Sequence, residues 1–148
     1  MKISKIIGLI IGVMQLLSAV ALIVGMHAML GVFATALPGE QELEIQYGDP
    51  VVIPFTLKPT NNGYLETKMN VYVSMIVDGE EVSSDSASVM VPPGSMIPVE
   101  LELLIPADEA QKYLQVGADV RWKTDISVST LYDLMSFSNH MVIGGGGQ

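Results

Sequence analysis

The sequence predicts an all-β sandwich behind one long N-terminal transmembrane α-helix, and three observations predict it. Ile6 to Leu37 are 32 consecutive residues without an Asp, Glu, Lys or Arg. Beyond Pro38-Gly39 this continuous apolar run gives way to alternation of apolar and polar residues, the period of half-buried strands. All sixteen acids lie from Glu40 onward, against five of the seven Lys and Arg residues. The 148-residue chain therefore divides into a helical anchor, 1–37, and an acidic extracytoplasmic β-sandwich domain, 38–148. An acidic domain with so few cations, and those dispersed, is repelled by phosphate backbones, so no nucleic acid is expected as a partner.

The anchor is longer than a bilayer requires. About 20 helical residues cross a hydrocarbon layer roughly 30 Å thick, so the run must tilt, protrude as a stalk or enter something thicker. Ala34-Thr35-Ala36 fits the small-x-small rule for signal cleavage, yet a signal core is only about 7 to 15 residues, and retention is the expectation. Lys2 and Lys5 precede the run and the next cation is Lys58. By the positive-inside bias the N-terminus is cytoplasmic and the chain is a single-pass membrane protein contacting lipid. Small residues recur at helical spacing: Gly8 and Gly12 form a GxxxG, and Ser18, Ala21, Gly25, Ala28 and Thr35 form a second series with Val32 between them. Small side chains let helix backbones approach in lipid, so both series are expected to pack against other helices. His27 has no carboxylate nearby in the run and reads as a neutral imidazole in the headgroup layer rather than a proton relay.

The strands follow in order. Glu40 to Tyr47 sets Leu43, Ile45 and Tyr47 inward. Val51, Ile53, Phe55 and Leu57 share the face of a second strand, which Pro54 marks as an edge strand or a bulge. Asn61-Asn62-Gly63 is a tight turn into a long alternating strand ending at Val77. Asp78-Gly79 is a strong hairpin signal and leads to a strand from Val82 to Val91. Pro92 to Ser95 turn the chain into Ile97, Val99, Leu101, Leu103 and Ile105. Ala107 to Leu114, opened by Pro106 and Asp108, is the only helical candidate of the domain. Val116 to Thr124 and Ile126 to Leu131 read as two more strands. Met135 to Ile143 reads as a last strand, which closes its own sandwich or adds to a neighbouring subunit. Seven or eight short strands at roughly 10-residue spacing is the rhythm of an immunoglobulin- or fibronectin-like sandwich. The absence of cysteine means that no disulfide holds it.

Residues 51 to 106, with the Asn-rich turn, the Asp-Gly hairpin and Val91-Pro-Pro-Gly-Ser-Met-Ile-Pro-Val-Glu-Leu-Glu-Leu-Leu-Ile-Pro106, resemble the late-embryogenesis-abundant type 2 (water-stress and hypersensitive-response) β-sandwich family. That resemblance implies a fibronectin-type sandwich behind a membrane helix, a family that also occurs in archaea, and no established catalytic residues. Asn61-Asn62-Gly63 stands where that family usually carries Asn-Pro. The architecture is also similar to archaeal pilin-like surface proteins, although no Lys/Arg-Gly processing junction precedes the apolar run.

Little in the sequence suggests chemistry. Cysteine nucleophiles are excluded, and His140 is the sole exported histidine, on the solvent side of its strand, with no Gly-x-Ser-x-Gly elbow to serve. No His/Cys cluster offers a transition-metal site. Asp78, Glu80, Glu81 and Asp85 gather around one hairpin and are the candidates for calcium, which needs only oxygen ligands. Glu42/Glu44 and Glu100/Glu102 read as outward charges that keep strands soluble. No Asn-x-Ser/Thr acceptor occurs, and no cofactor is expected. The expected function is a non-enzymatic membrane-anchored structural or assembly subunit of a cell-surface filament, layer or membrane complex, a homo-oligomer or part of a larger assembly. The alternative is a tethered extracytoplasmic binding domain for a small ligand or calcium, and a hydrolase ranks third for want of a nucleophile and base.

Overall fold

The computed structural model describes residues 3–37, 44–113 and 117–144. A single helix, α1 (Ile3–Ala36), is followed by β1 (Val51–Leu57), β2 (Thr67–Val77), β3 (Glu80–Val91), β4 (Val99–Ile105), a short helix α2 (Ala107–Tyr113), β5 (Val120–Thr130) and β6 (Met135–Gly144). Every strand pairing is antiparallel, in a four-stranded sheet ordered β3-β2-β5-β6 and a two-stranded sheet β1-β4. The chain is thus a long N-terminal apolar helix and a sandwich-like pair of antiparallel sheets.

Alternation builds the core. Val51, Ile53 and Leu57 from β1 and Val99, Leu101, Leu103 and Ile105 from β4 face Met69, Val71, Val73, Met75 and Val77 from β2 and Ile126 and Val128 from β5. Phe55 meets Trp122 edge to face across the interior, with ring centroids 5.8 Å apart. Pro54 sits in β1, whose side away from β4 carries, among the described residues, only the Gln46–Val52 bridge, so its missing N–H costs little. Asp78 and Gly79 adopt φ values of 50° and 87°, the left-handed pair that a two-residue hairpin requires. The outer edge of β4 is capped by side chains of β3: Glu102 N–H donates to Asp85 Oδ2 at 2.9 Å and Leu104 N–H to Ser83 Oγ at 3.1 Å.

Two expectations require correction. The two strands expected at 116–124 and 126–131 are one continuous strand, β5, because Asp125 does not break it. Its carboxylate points to the outer face, where His140 and Lys123 neutralise it. The strand expected at Glu40 to Tyr47 is reduced, within the described residues, to one bridge between Gln46 and Val52. Its first part, 40–43, lies outside the described residues, as do Leu114 and Val116. β6 pairs along its length with β5 of its own chain and so closes its own sandwich.

With two strands among the described residues, the β1-β4 sheet leaves part of the larger sheet uncovered, and α1 fills the gap. Its C-terminal third packs on β2, β5 and β6, and Met29, Val32 and Ala36 belong to the same core cluster as the strand residues. Ile3 to Val24 remain outside that core, most of them exposed apolar side chains.

Candidate functional site

The junction between α1 and the sandwich is where the small residues of the helix do their work. A Cβ on Gly25 would lie 2.7 Å from Met135 Sδ and 3.3 Å from Thr130 Cγ2. One turn on, Ala28 is fully buried against the backbone of Gly63, where a Cβ would lie 2.6 Å from Ala28 Cβ and 2.7 Å from Ala28 Cα. Two turns further, Thr35 Oγ1 accepts the N–H of Thr60 at 2.7 Å while donating to Gly31 O at 2.8 Å. Phe33 packs edge to face on Phe137 of β6, centroids 4.9 Å apart. Gly25 and Ala28 are therefore covered by the chain's own sandwich rather than left for a second helix. Their small size serves close approach of a loop and a strand end, a surface that helical spacing alone cannot distinguish from a partner helix. Gly8, Gly12 and Ser18 stay exposed, with nothing within 4 Å of a Cβ at either glycine, and Ala21 is half-buried.

The loop that receives Ala28 is held by Asn61. Its side chain is fully buried and donates to Leu65 O at 2.7 Å, Val91 O at 2.9 Å and Thr67 Oγ1 at 3.3 Å, while its Oδ1 accepts Gly63 N–H at 2.9 Å. Its backbone pairs with Gly94 and Ser95 of the next turn. One asparagine thus fixes two loops beneath the helix. The sequence places this residue in a tight turn, where Asn is a usual residue, and no local signal marks its side chain as a buried hub.

The acidic hairpin does not form a calcium site. Asp78 Oδ1 accepts Asp119 N–H, both carboxylate oxygens of Glu81 accept from the Tyr72 hydroxyl, and Asp85 accepts Ser86 N–H and Glu102 N–H. Glu80 is exposed at the start of β3. The acids point to different partners along a twisted ribbon, and among the described residues no three His, Cys, Asp or Glu side chains converge.

On the outer face of the large sheet the register aligns Ser86, Tyr72, Asp125 and His140 in one row and Ser88, Asn70, Ser127 and Ser138 in the next. These rows line an open concavity on that face. His140 Nδ1 pairs with Asp125 Oδ1, and Lys123 lies 3.5 Å from the other carboxylate oxygen. The hydrogen bond to His140 holds the Asp125 carboxyl below its ordinary range, opposed by partial desolvation and assisted by the His140 and Lys123 charges. His140 faces solvent as expected. Its partner was not legible, because only strand register brings residues fifteen apart together.

No protein-family model matches the chain, and no curated protein sequence matches it significantly. Among solved structures, the chain is similar to a protein from Archaeoglobus fulgidus at 12% identity, covering 70% of this chain and 91% of that one with a TM-score of 0.46. It is also similar to part of Bacteroides uniformis beta-glucuronidase 2, at 6% identity over 70% of this chain and 12% of that chain, with a TM-score of 0.46. A glycosyl hydrolase family 2 member from Bacteroides cellulosilyticus matches at 11% identity over 70% and 14%, with a TM-score of 0.43. The match spans about an eighth of the length of these two enzymes.

Proposed function

We propose that this chain is a non-enzymatic, membrane-anchored structural subunit of a surface assembly, with α1 crossing the bilayer and the sandwich held rigidly on the extracytoplasmic side. One observation carries the reading: a single unbroken helix is both the apolar span and a core element of the sandwich. At about 1.5 Å per residue, the 19 residues from Ile6 to Val24 run roughly 29 Å, the thickness of the hydrocarbon layer, and the excess length of the helix is the docked portion. A cleaved signal would remove Met29, Val32, Phe33 and Ala36 from the core, so retention is favoured by packing as well as by length. A tether for an independent binding domain gains from a flexible linker, whereas a lattice or filament subunit needs its domain in one orientation. The exposed Gly8 and Gly12 and the outer side of β6, which pairs with no strand among the described residues, offer contacts for further copies.

We read the sandwich as immunoglobulin- or fibronectin-like, from its two antiparallel sheets, and the N-terminus as cytoplasmic, from Lys2 and Lys5. The alternative, a tethered domain binding a small polar ligand, is favoured by the Ser, Asn and Tyr rows of the outer sheet face. Extraction in mild detergent followed by light scattering separates the two. A species of many copies is expected, and a monomer would overturn the assembly reading.

A further inference from the structure

From the membrane-anchor reading above, we infer that the sandwich rests on the lipid surface, with the turn between β5 and β6 inserted into the headgroup layer beside α1. About 20 helical residues span the hydrocarbon, so a layer beginning just after Lys5 ends near Gly25. At that height the helix touches Thr130 and Met135, the two residues that flank the turn Leu131 to Leu134. Leu134 lines an apolar concavity together with Leu22 and Met26 of the helix, and Leu22 falls within the span.

The turn is built to point outward. Tyr132 is 102% exposed and Leu134 83% exposed, which places two large side chains with apolar surface at the tip of one four-residue turn. Leu131, Tyr132 and Asp133 hold φ values of 53°, 54° and 64°, three successive non-glycine residues in the left-handed region. The Asp133 carboxylate accepts the Ser129 hydroxyl at 2.5 Å, which ties the turn back to the end of β5. In the neighbouring loop, Tyr64 is 82% exposed between Gly63, which touches Ala28, and Glu66, whose carbonyl accepts the Thr130 hydroxyl at 2.7 Å. Tyrosines at this level match the preference of amphipathic rings for the headgroup layer. The occupant is lipid rather than a partner protein because the patch is continuous with the exposed apolar surface of the spanning helix.

The chain has no cysteine, so single thiols can be placed at will. Tyr132→Cys, Leu134→Cys, Leu16→Cys in the span and Glu80→Cys at the far end of β2, on the order of 35 Å away, are each labelled with an environment-sensitive fluorophore. Each full-length chain is then reconstituted in phosphatidylcholine vesicles carrying spin-labelled lipid. The expected result is blue-shifted emission and lipid quenching at 16, 132 and 134, with none at 80. Quenching at 16 while 132 and 134 behave like 80 overturns the inference and leaves the anchor standing. Absence of quenching at all four positions overturns the anchor and the inference together. Probes at 132 and 134 that are shielded without lipid quenching, and become exposed on dilution in lipid, assign the turn to a second copy and overturn it too.

Discussion

Gly63→Ala is the sharpest perturbation of the helix-to-sandwich contact. The added methyl would lie 2.6 Å from Ala28 Cβ and 2.7 Å from Ala28 Cα, about an ångström inside the ordinary separation of roughly 3.5–4.0 Å. The obstacle includes helix backbone, which no rotamer change relieves, so α1 must withdraw from the loop. Overpacking of this kind costs about 1–3 kcal/mol, which at ~1.4 kcal/mol per tenfold is a roughly 5- to 150-fold rise in the undocked population. A thiol introduced by Val32→Cys reports it, because Val32 is 0% exposed when docked and accessible only when the helix opens. Alkylation of that thiol is expected to accelerate by this factor in the Gly63→Ala background, with a lower melting temperature. Adding Ala28→Gly should recover only part of the loss, since the Cα clash remains. An alkylation rate and melting temperature unchanged from the parent would refute close packing of these two backbones.

Two further expectations follow from named groups. Asn61→Ala strands Gly63 N–H and removes the donor that serves Leu65 O and Val91 O; each buried polar group left unpaired costs about 1–3 kcal/mol, so denaturant melts should show a loss of at least about 2 kcal/mol, and a loss below 0.5 kcal/mol (on the order of a surface change) would contradict the hub. The Asp125 carboxyl is depressed by His140 and Lys123, so its contribution is present above the ordinary value of 3.8 and is lost as pH falls through its lower folded value. The pair is more than a third exposed, which limits the effect to less than about 1 kcal/mol. Melting temperature measured from pH 5 to 2 should fall more steeply for the parent than for Asp125→Asn, and parallel curves would dismiss the pair.

The strands were legible where one period governs both faces. β4 alternates buried and exposed without error because Glu100, Glu102 and Leu104 face outward while Val99, Leu101, Leu103 and Ile105 face in. The Asp78-Gly79 hairpin was legible because its backbone demands those residue types. Elsewhere the deciding contact is distant in sequence. Asp125 reads as a strand break until His140 stands opposite it. Gly25 and Ala28 read as a helix–helix seam because a small residue records only that something approaches closely, and the approaching groups are Met135, Thr130 and Gly63. The length of the run beyond a bilayer was visible, yet its use as a core element was not, since an apolar side chain suits lipid and a protein interior alike.

The most direct test is the identity of the mature chain in its membrane. Intact mass and N-terminal sequencing of material from the washed membrane fraction should find α1 still attached to the sandwich. A stable, folded protein in the soluble fraction that begins at Leu37 would contradict it, because such a domain would have to hold together without Met29, Val32, Phe33 and Ala36.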